Sequence, residues 1–294
     1  CATISNISGE VIFSSSDYES SGGYRSSRRS GGVYRLRFSG GCIDCIEQLY
    51  SGAVRQIVIR DNLIYAVNYG LNQLVVVDFS GVVCDSITLP FHHYTGLALS
   101  ENRVYLVSSA FDSIEVFDLV SGAKEKTVFF SDRGRHSGNG LHHLNDCCFE
   151  DGKLFFSYFS KSGAWRKEVF DGGIGFYDFE TNSFSDIISN LFQPHSPSMI
   201  NGSLHFCESP KGFVWSSSWS KVAELQGFVR GVDYLNGRYF VGQSETLYLS
   251  RSRTISNVMM NAGIHCIEPD SGGSKFFSIE GLKNIHSLCA VQCY

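Results

Sequence analysis

The sequence predicts an all-β protein, a six-bladed β-propeller, from its composition, from an internal repeat and from the relation between its two ends. Hydrophobic residues make up 43% of the 294 residues and charged residues only 18%. The 23 Phe and 14 Tyr suit pleated, half-buried strands. A unit of four strands recurs along the chain, and the two ends together supply one further unit. We therefore expect residues 1–294 to form a single closed β-propeller domain.

The repeat is anchored by hairpins, each consisting of an apolar run, a two-residue turn and a second apolar run. Five segments have this form: QIVIRDNLIYAV, LALSENRVYLV, CCFEDGKLFFSY, SMINGSLHFC and VDYLNGRYFVG. Four of their turns contain residues that tolerate positive φ, as tight hairpin turns require: Asp61-Asn62, Asp151-Gly152, Asn201-Gly202 and Asn236-Gly237. These segments are predicted to be the first and second strands of five blades.

Two more apolar runs follow each hairpin and are predicted to be the third and fourth strands of the blade. They read QLVVVDF and CDSITL after the first hairpin, and GIHCIEP and KFFSIE after the last. The chain ends supply the sixth blade, with HSLCAVQ as its first strand and EVIFSSS, GGVYRLRF and CIEQLY as the others. Sharing a blade in this way closes the ring and removes exposed sheet edges. A β-sandwich, the main alternative, would not produce a four-strand period.

Charge and cysteine usage limit the partners and the compartment. The formal net charge is −5 and the chain has no polybasic tail, so we expect binding to neither nucleic acid nor membrane. No apolar run reaches the roughly 18 residues of a membrane span, and the first residues lack the charged and apolar regions of a secretion signal, so we expect neither feature. The ten Cys are irregularly spaced, which indicates core thiols rather than a disulfide framework and predicts a cytoplasmic protein.

Polar residues recur where the first strands begin, at one mouth of the predicted channel. The opening positions of the first strands read Arg55, Thr95, Asn145, Ser196, Arg230 and Ser287. The positions before them read Val54, Tyr94, Leu144, His195, Val229 and His286. The second strands end at Asn68, Ser108, Tyr158, Glu208, Gln243 and Ser15. First strands begin, and second strands end, at the same end of a propeller. We therefore expect these three sets of residues to form three rings at one mouth of the channel.

The residue types in these rings predict a ligand site. Two Arg, two His and one Glu are costly to bring together in a channel unless a ligand uses them. The long loops 18–32, 131–141, 159–172 and 246–262 at the same end carry ten Lys and Arg, while six acidic residues lie in or beside them. This excess predicts an electropositive funnel that attracts anions. The alternative is a wet channel whose polar lining only binds water.

His195 is the leading candidate for proton transfer in this site. Arg55 and Arg230 would hold an anion, while Glu208 and Asn145 would orient His195 or the substrate, and His286 is a further catalytic candidate. The remaining predicted ligand contacts are Thr95, Ser196, Tyr158, His143, Asn68 and Gln243. A divalent metal held by His195, Glu208, Asn145 and Asp146 is conceivable from the ligand types. The two nearby Arg residues disfavour a metal, so no cofactor is predicted.

Two other kinds of site are discounted from the sequence. Cys42 and Cys45 form a CxxC pair without a second pair at zinc-ribbon spacing, and on a strand their side chains point to opposite faces. Ser196 beside His195 lacks the nucleophile-elbow motif of a serine hydrolase. Thiol chemistry at Cys147 or Cys207 is a third possibility, although both thiols are expected to be buried and inert.

Several ordered motifs resemble a family of uncharacterised bacterial proteins, a domain of unknown function whose members sometimes accompany tetratricopeptide repeats. The motifs run from about residue 138 to the end of the chain. They are His143-Leu144-Asn145-Asp146, Ser162 to Arg166, Gly172-Gly173, Pro194-His195-Ser196-Pro197, Glu208-Ser209, Gly227-Phe228-Val229-Arg230-Gly231 and Ala290-Val291-Gln292. The resemblance implies a bacterial, intracellular propeller. It implies no activity, but His195, Asn145, Glu208 and Arg230 belong both to these motifs and to the rings.

Two functional hypotheses follow from the sequence. In the first, the mouth binds a small anionic or polyhydroxylated molecule, such as a sugar acid, and acts on it as a hydrolase, lyase or isomerase. In the second, the same face is a non-catalytic module that docks an acidic partner protein or peptide, with Tyr24 and Trp165 as interface anchors. Propellers serve both purposes, so the fold cannot decide between them.

Overall fold

The structure is a computed structural model that describes residues 7–17, 28–245 and 259–292. Within these ranges, 24 strands form six antiparallel sheets of four strands each. Each sheet is one blade, and the first strands of neighbouring blades contact each other around the ring. This arrangement confirms the predicted six-bladed propeller.

The strand boundaries follow the predicted repeat. Blade 1 contains β1 (Gly9–Ser15), β2 (Gly32–Ser39), β3 (Cys42–Ser51) and, as its first strand, the C-terminal β24 (Ser287–Val291). Blade 2 contains β4 (Val54–Arg60), β5 (Leu63–Asn68), β6 (Gln73–Asp78) and β7 (Val83–Thr88). Blade 3 contains β8 (Tyr94–Leu99), β9 (Arg103–Ser108), β10 (Ser113–Asp118) and β11 (Lys124–Phe129).

The other three blades come from the second half of the chain. Blade 4 contains β12 (Leu144–Glu150), β13 (Lys153–Tyr158), β14 (Gly172–Asp178) and β15 (Ser183–Leu191). Blade 5 contains β16 (Pro194–Ile200), β17 (Ser203–Glu208), β18 (Phe213–Ser216) and β19 (Lys221–Glu224). Blade 6 contains β20 (Phe228–Leu235), β21 (Arg238–Ser244), β22 (Gly263–Glu268) and β23 (Gly273–Ser278). A short helix, α1 (Asp132–Ser137), and two 3₁₀ turns, Trp165–Lys167 and Ser209–Lys211, lie in connecting loops.

The ring closes by pairing the two ends of the chain, as the sequence predicts. β1 runs antiparallel to β24, with Phe13 opposite Leu288 and Ser14 opposite Ser287. The amide of His286 donates to the carbonyl of Ser14 at 2.8 Å, which extends this pairing toward the channel mouth. Closure therefore places His286 and Ser287 at a defined height in the ring.

The predicted turn residues adopt the backbone conformation expected of them. Asp61 and Asn62 have φ values of 53° and 59°, and Asn236 and Gly237 have 51° and 80°. Positive φ at both central positions is the mark of a type I′ hairpin turn. The turns hold the first and second strands in register, so residues counted back from each turn reach the mouth at comparable heights.

The hydrophobic core lies between the blades. Each of its clusters draws residues from two adjacent sheets, as where Phe38 of blade 1 packs on Phe277 of blade 6 with ring centroids 4.7 Å apart. The strands are apolar on both faces because each face meets a neighbouring blade, which explains continuous runs such as Val104 to Val107. The first strands lie nearest the propeller axis, and their polar ends line the channel.

The first strands of blades 2 to 6 share an irregularity near the mouth. In each one the pairing with the second strand shifts by a residue, for example between Val54 and Ile57 and between Leu144 and Cys147. Such a bulge places two residues opposite one and redirects their side chains. Two consecutive residues per blade thus come to the channel, at two successive levels.

Candidate functional site

The register places His195 one level away from its predicted position. Pro194 lies opposite Glu208, as Leu144 lies opposite Tyr158 in blade 4. The outer level of the channel therefore contains Arg55, Thr95, Asn145, His195 and Arg230, and the inner level contains Gln56, Gly96, Asp146, Ser196 and Gly231. The rings predicted from the sequence paired Ser196, instead of His195, with Arg55 and Arg230. His195 precedes the turn at Asn201 by six residues, as Asn145 precedes the turn at Asp151, so the predicted ring was displaced by one residue in blade 5.

Asp146 lies at the centre of this arrangement. One carboxylate oxygen, Oδ2, accepts hydrogen bonds from the amide of Ser196 at 2.9 Å and from its hydroxyl at 3.2 Å. The other, Oδ1, lies 3.8 Å from Nδ1 of His286, which comes from the opposite side of the ring. Burial raises the pKa of Asp146 to about 6, against the opposing effect of Arg230, the Ser196 hydrogen bonds and Arg55. From the sequence alone, Asp146 is a candidate only as a metal ligand.

His195 is fully buried and held in one tautomer. Its Nδ1 lies 3.0 Å from the carbonyl of Gln193 and 2.7 Å from the hydroxyl of Ser209. Because a carbonyl can only accept, Nδ1 carries the proton and Nε2 presents a lone pair. Burial lowers the pKa of His195 well below 6.5, and the positive charges of Arg230 and the nearby His143 lower it further. His195 is therefore a neutral imidazole at physiological pH.

Aromatic rings surround the outer level. Phe159 and Phe228 pack against the imidazole of His195 with centroid distances of 5.0 and 5.7 Å. The guanidinium of Arg230 lies over Phe228 at 4.9 Å, and that of Arg55 lies over Tyr69 at 4.4 Å. These contacts keep both cations near the axis, where both affect the pKa values of Asp146 and His195.

Three buried acceptor atoms of the channel have no hydrogen-bond partner among the described residues. They are Oδ1 of Asn145, Oδ1 of Asp146 and Nε2 of His195. The three residues are 3%, 1% and 0% exposed. Buried polar atoms are almost always satisfied by protein, water or ligand. Three such acceptors beside two Arg residues mark the outer level of the channel, together with Asp146 beneath it, as the candidate site.

The second-strand ring does not join this site. Asn68 donates to the hydroxyl of Tyr50 at 2.8 Å and accepts from the amide of Leu71. Gln243 donates to the carbonyl of Asn261 at 2.8 Å and lies 2.9 Å from Nε2 of His265. These side chains fix loops and neighbouring strands because a second strand lies one strand away from the axis. They take no part in the arrangement around Asp146.

Glu208 and Tyr158 also form their hydrogen bonds and ion pairs with residues outside the arrangement around Asp146. Glu208 accepts from the amide of Phe192 at 2.9 Å, from Trp215 Nε1 at 3.3 Å, and pairs with Lys211 at 2.6 Å. Gln193 and Ser209, and not Glu208, hydrogen-bond to His195, while a contact between Glu208 and a substrate stays a prediction. Tyr158 donates to Asp186 at 3.0 Å inside blade 4.

Two further predicted contacts, Thr95 and His143, and the ring residue Ser287 remain to be placed. Thr95 donates weakly to the carbonyl of Leu144 at 3.4 Å, which connects blades 3 and 4, whereas the amide of Ser287 donates to Ser14 Oγ at 3.1 Å within blade 1. The imidazole of His143 packs between Phe159 and Trp165 with centroid distances of 4.4 and 4.5 Å. Of these, His143 is the one whose charge affects His195.

Part of the predicted electropositive funnel cannot be placed. Tyr24, Arg25, Arg251 and Arg253 lie outside the described residues. Lys161 pairs with Asp186 at 2.8 Å, and Arg166 donates to the carbonyl of Asn139 at 2.7 Å. The funnel as a whole stays a prediction.

No group of three or more His, Cys, Asp or Glu residues that could hold a metal ion occurs among the described residues. None of the helices in the described ranges is long and apolar enough to cross a membrane. The eight described cysteines are free thiols. Burial raises the pKa of the Cys147 and Cys207 thiols.

Comparisons with known proteins place the chain in a family and in a fold group. A sequence profile described as "Domain of unknown function (DUF4915)" matches residues 89–292. The match begins well before the motifs that carry the resemblance, in the blade that precedes them. No curated protein matches the chain.

Solved propellers share the fold at low sequence identity. The chain in the crystal structure of a nidogen/laminin complex has a TM-score of 0.67 and 10% identity, with 96% of this chain and 98% of that chain covered. A putative gluconolactonase has a TM-score of 0.56 and 15% sequence identity, with 80% of each chain covered. Streptogramin B lyase has a TM-score of 0.53 and 12% sequence identity, with 95% of this chain and 85% of that chain covered. At these identities the likeness shows the fold alone.

Proposed function

This chain belongs to the DUF4915 family, and we propose that its channel binds a small polyhydroxylated anion, such as a sugar acid, at the level of His195, Arg55 and Arg230 and transforms it by proton transfer. The observation that carries the proposal is the set of three buried acceptor atoms, on Asn145, Asp146 and His195, beside two arginines.

The arginines supply the affinity for an anion. Both Arg230 and Arg55 contribute to the lowered pKa of His195, so the potential at the imidazole is positive despite the nearby Asp146. Two guanidinium groups exceed the charge of one carboxylate. A ligand carboxylate would offset this excess in a water-poor channel, where charge-assisted hydrogen bonds are strong.

The acceptor atoms supply the selectivity for hydroxyl groups. Asn145 Oδ1, Asp146 Oδ1 and His195 Nε2 can each accept a hydrogen bond. A simple anion such as sulfate offers them no donor. A sugar acid offers both a negative charge and hydrogen-bond donors. Its carboxylate can pair with the arginines, and its hydroxyl groups can donate to the three acceptors.

His195 is the residue suited to proton transfer. Its buried Nε2 has no hydrogen-bond partner among the described residues, while Gln193 and Ser209 hold the opposite nitrogen. Binding of an anion beside the imidazole would raise its lowered pKa toward neutrality, so that the base becomes stronger when substrate is present. Hydrolase, lyase and isomerase reactions of sugar acids all need such a step, and a putative gluconolactonase and a lyase have the same fold.

The alternative function is docking of an acidic partner protein. The exposed Arg166 and Lys167 lie beside Trp165, and a propeller of similar fold occurs in a nidogen/laminin complex. A partner of this kind would contact the loops and leave the buried Asn145 and His195 untouched. The two functions therefore differ in which residues matter.

The test is calorimetric titration of the protein with the sugar acids D-gluconate, D-glucarate and D-galacturonate. D-glucose, which has hydroxyl groups but no charge, and sulfate, which has charge but no hydroxyl groups, are the control probes. We expect at least one sugar acid to bind, and Arg230→Gln to weaken it tenfold or more. Arg238→Gln is the matched control, because Arg238 pairs with Glu268 in blade 6, away from the channel level. Binding of no sugar acid would overturn the proposal.

Turnover is followed separately by NMR of the incubated sugar acids and of D-glucono-δ-lactone. His195→Gln is expected to keep sugar-acid binding within a few-fold and to abolish any conversion. His265→Gln, a change at a buried His outside the ring, is the matched control. Sensitivity confined to Arg166→Gln would support the docking module instead.

A further inference from the structure

The channel contains a second compartment on the side away from the predicted mouth. A cavity of about 500 Å³ extends from Asp146 and Ser196 to Asn62, which lies in the hairpin turn between β4 and β5. None of the outer-level residues, Arg55, Asn145, His195 and Arg230, lines it. The inner level is therefore a partition between the proposed anion site and this chamber.

The chamber has the size and the wall of a small-molecule site. Its volume falls within the range of ligand pockets, roughly 300 to 1,000 Å³. Its wall contains apolar side chains from several first strands, including Val58, Leu99, Phe149 and Leu288. An apolar group of a ligand would fill this part of the chamber with favourable burial.

The polar groups of the chamber select for positive charge. No Lys, Arg or His is among its lining residues, whereas Asp146 and Asp233 both line it. Asp233 accepts from the amides of Ala290 and Tyr234, each at 2.8 Å, so its carboxylate is held in place by backbone. Asp146 Oδ1 is buried and lacks a hydrogen-bond partner among the described residues. Because Asp146 lines the chamber, a donor inside it can approach the Asp146 carboxylate.

We propose that the chamber binds a small amine with an apolar substituent, whose ammonium group donates to Asp146 at the partition. The apolar substituent lies among Val58, Leu99 and Phe149, toward the hairpin turns. This site is distinct from the sugar-acid site in ligand charge and in the face from which it is reached. The two ligands meet only at Asp146.

Phenethylamine at pH 7.5 is the probe, and 3-phenylpropionate, which is similar in shape but negatively charged, is its control in calorimetric titrations. We expect phenethylamine to bind with one-to-one stoichiometry, Asp146→Asn to weaken it at least tenfold, and 3-phenylpropionate not to bind. Ser198→Phe, which fills the chamber from its half-buried wall, is expected to abolish binding. Ser203→Phe, at an exposed position of the same hairpin, is the matched control.

The outcomes separate the chamber from the sugar-acid site. Arg230→Gln is expected not to weaken phenethylamine, since Arg230 does not line the chamber. Absence of phenethylamine binding to the wild-type protein would overturn the inference and leave the sugar-acid proposal intact. Binding that survives Asp146→Asn but is lost in Ser198→Phe would overturn the assigned ammonium contact, and binding that survives both would overturn the site.

Discussion

Asp146 of β12 and His286, which immediately precedes β24, approach to 3.8 Å between Oδ1 and Nδ1 although they belong to opposite blades. This approach depends on closure of the ring, because His286 directly precedes the C-terminal strand of blade 1. Ser196 holds the other carboxylate oxygen, so Asp146 is fixed from a neighbouring blade as well. The carboxyl group thus connects three blades at the partition of the channel.

The buried Asp146 should make stability depend on pH. Its pKa rises from 3.8 to about 6 on folding, so its favourable contribution is complete below pH 3.8 and is lost as the pH rises through 6. A shift of about two units corresponds to about 3 kcal/mol. Relative to wild type, the free energy of unfolding of Asp146→Asn should rise by up to about 3 kcal/mol between pH 4 and pH 7. Urea unfolding at a series of pH values measures this difference.

The control for that series is Asp85→Asn, which changes an exposed carboxylate in β7. Its difference from wild type should stay nearly constant over the same pH range. A flat difference for Asp146→Asn would show that the carboxyl is not desolvated as described.

Ser196→Ala should destabilise the joint between blades 4, 5 and 6. The Ser196 hydroxyl accepts from the amide of Gly231 at 2.8 Å and donates to Asp146. Its removal leaves a buried N–H without a partner, which costs about 1 to 3 kcal/mol. Chemical denaturation measures the loss, and Ser39→Ala, whose exposed hydroxyl contacts Asp44, is the control with little expected change. Equal stability of the two variants would contradict the role of Ser196.

Gly96→Ala should disturb the ring through the backbone of blade 4. A Cβ at Gly96 would lie 2.5 Å from the carbonyl oxygen of Asn145 and 3.1 Å from Sγ of Cys147. Overpacking of this kind costs about 1 to 3 kcal/mol, and β12 must move to accommodate it. Thermal unfolding should show the loss. Gly70→Ala is the control, because its added Cβ meets only ordinary contacts, and its unfolding midpoint should be close to that of wild type. A wild-type midpoint for Gly96→Ala would count against the close approach of Gly96 to the Asn145 carbonyl.

The thiols should differ sharply in reactivity. Cys42 and Cys84 are exposed, whereas Cys147 and Cys207 are buried and have raised pKa values. Only thiolates react readily. Mass spectrometry after brief treatment of the native protein with iodoacetamide should find Cys42 and Cys84 modified first, and Cys147 and Cys207 modified only after denaturation. Rapid native labelling of Cys147 would revive thiol chemistry as a function.

Much of the architecture could be predicted because it depends on local patterns. The Asp61-Asn62 and Asn236-Gly237 turns mark the hairpins, and the apolar runs after them mark the remaining strands. The pairing of β1 with β24 followed from counting strands in each unit. The approximate height of Arg55, Asn145 and Arg230 followed from their distance to these turns.

The details of the site depend on contacts that no local pattern contains. Closure of the ring brings His286 to Asp146. The level of His195, by contrast, follows from its distance to the turn at Asn201, which equals that of Asn145 to Asp151. Glu208 and Gln243 are polar strand ends like the others, yet they bond to loops because second strands do not reach the axis.

The sequence by itself determined the number of blades, the turn positions and the residue types at the mouth, since these follow from strand periodicity and turn chemistry within short segments. Only the tertiary structure decided that Asp146 occupies the partition, that Gln193 and Ser209 orient His195, and that a chamber opens beyond it. Apart from the contacts of His195 within its own blade, these features arise between residues that are distant in the chain, where burial and the charges of other blades decide which groups are satisfied and which are left to bind a ligand.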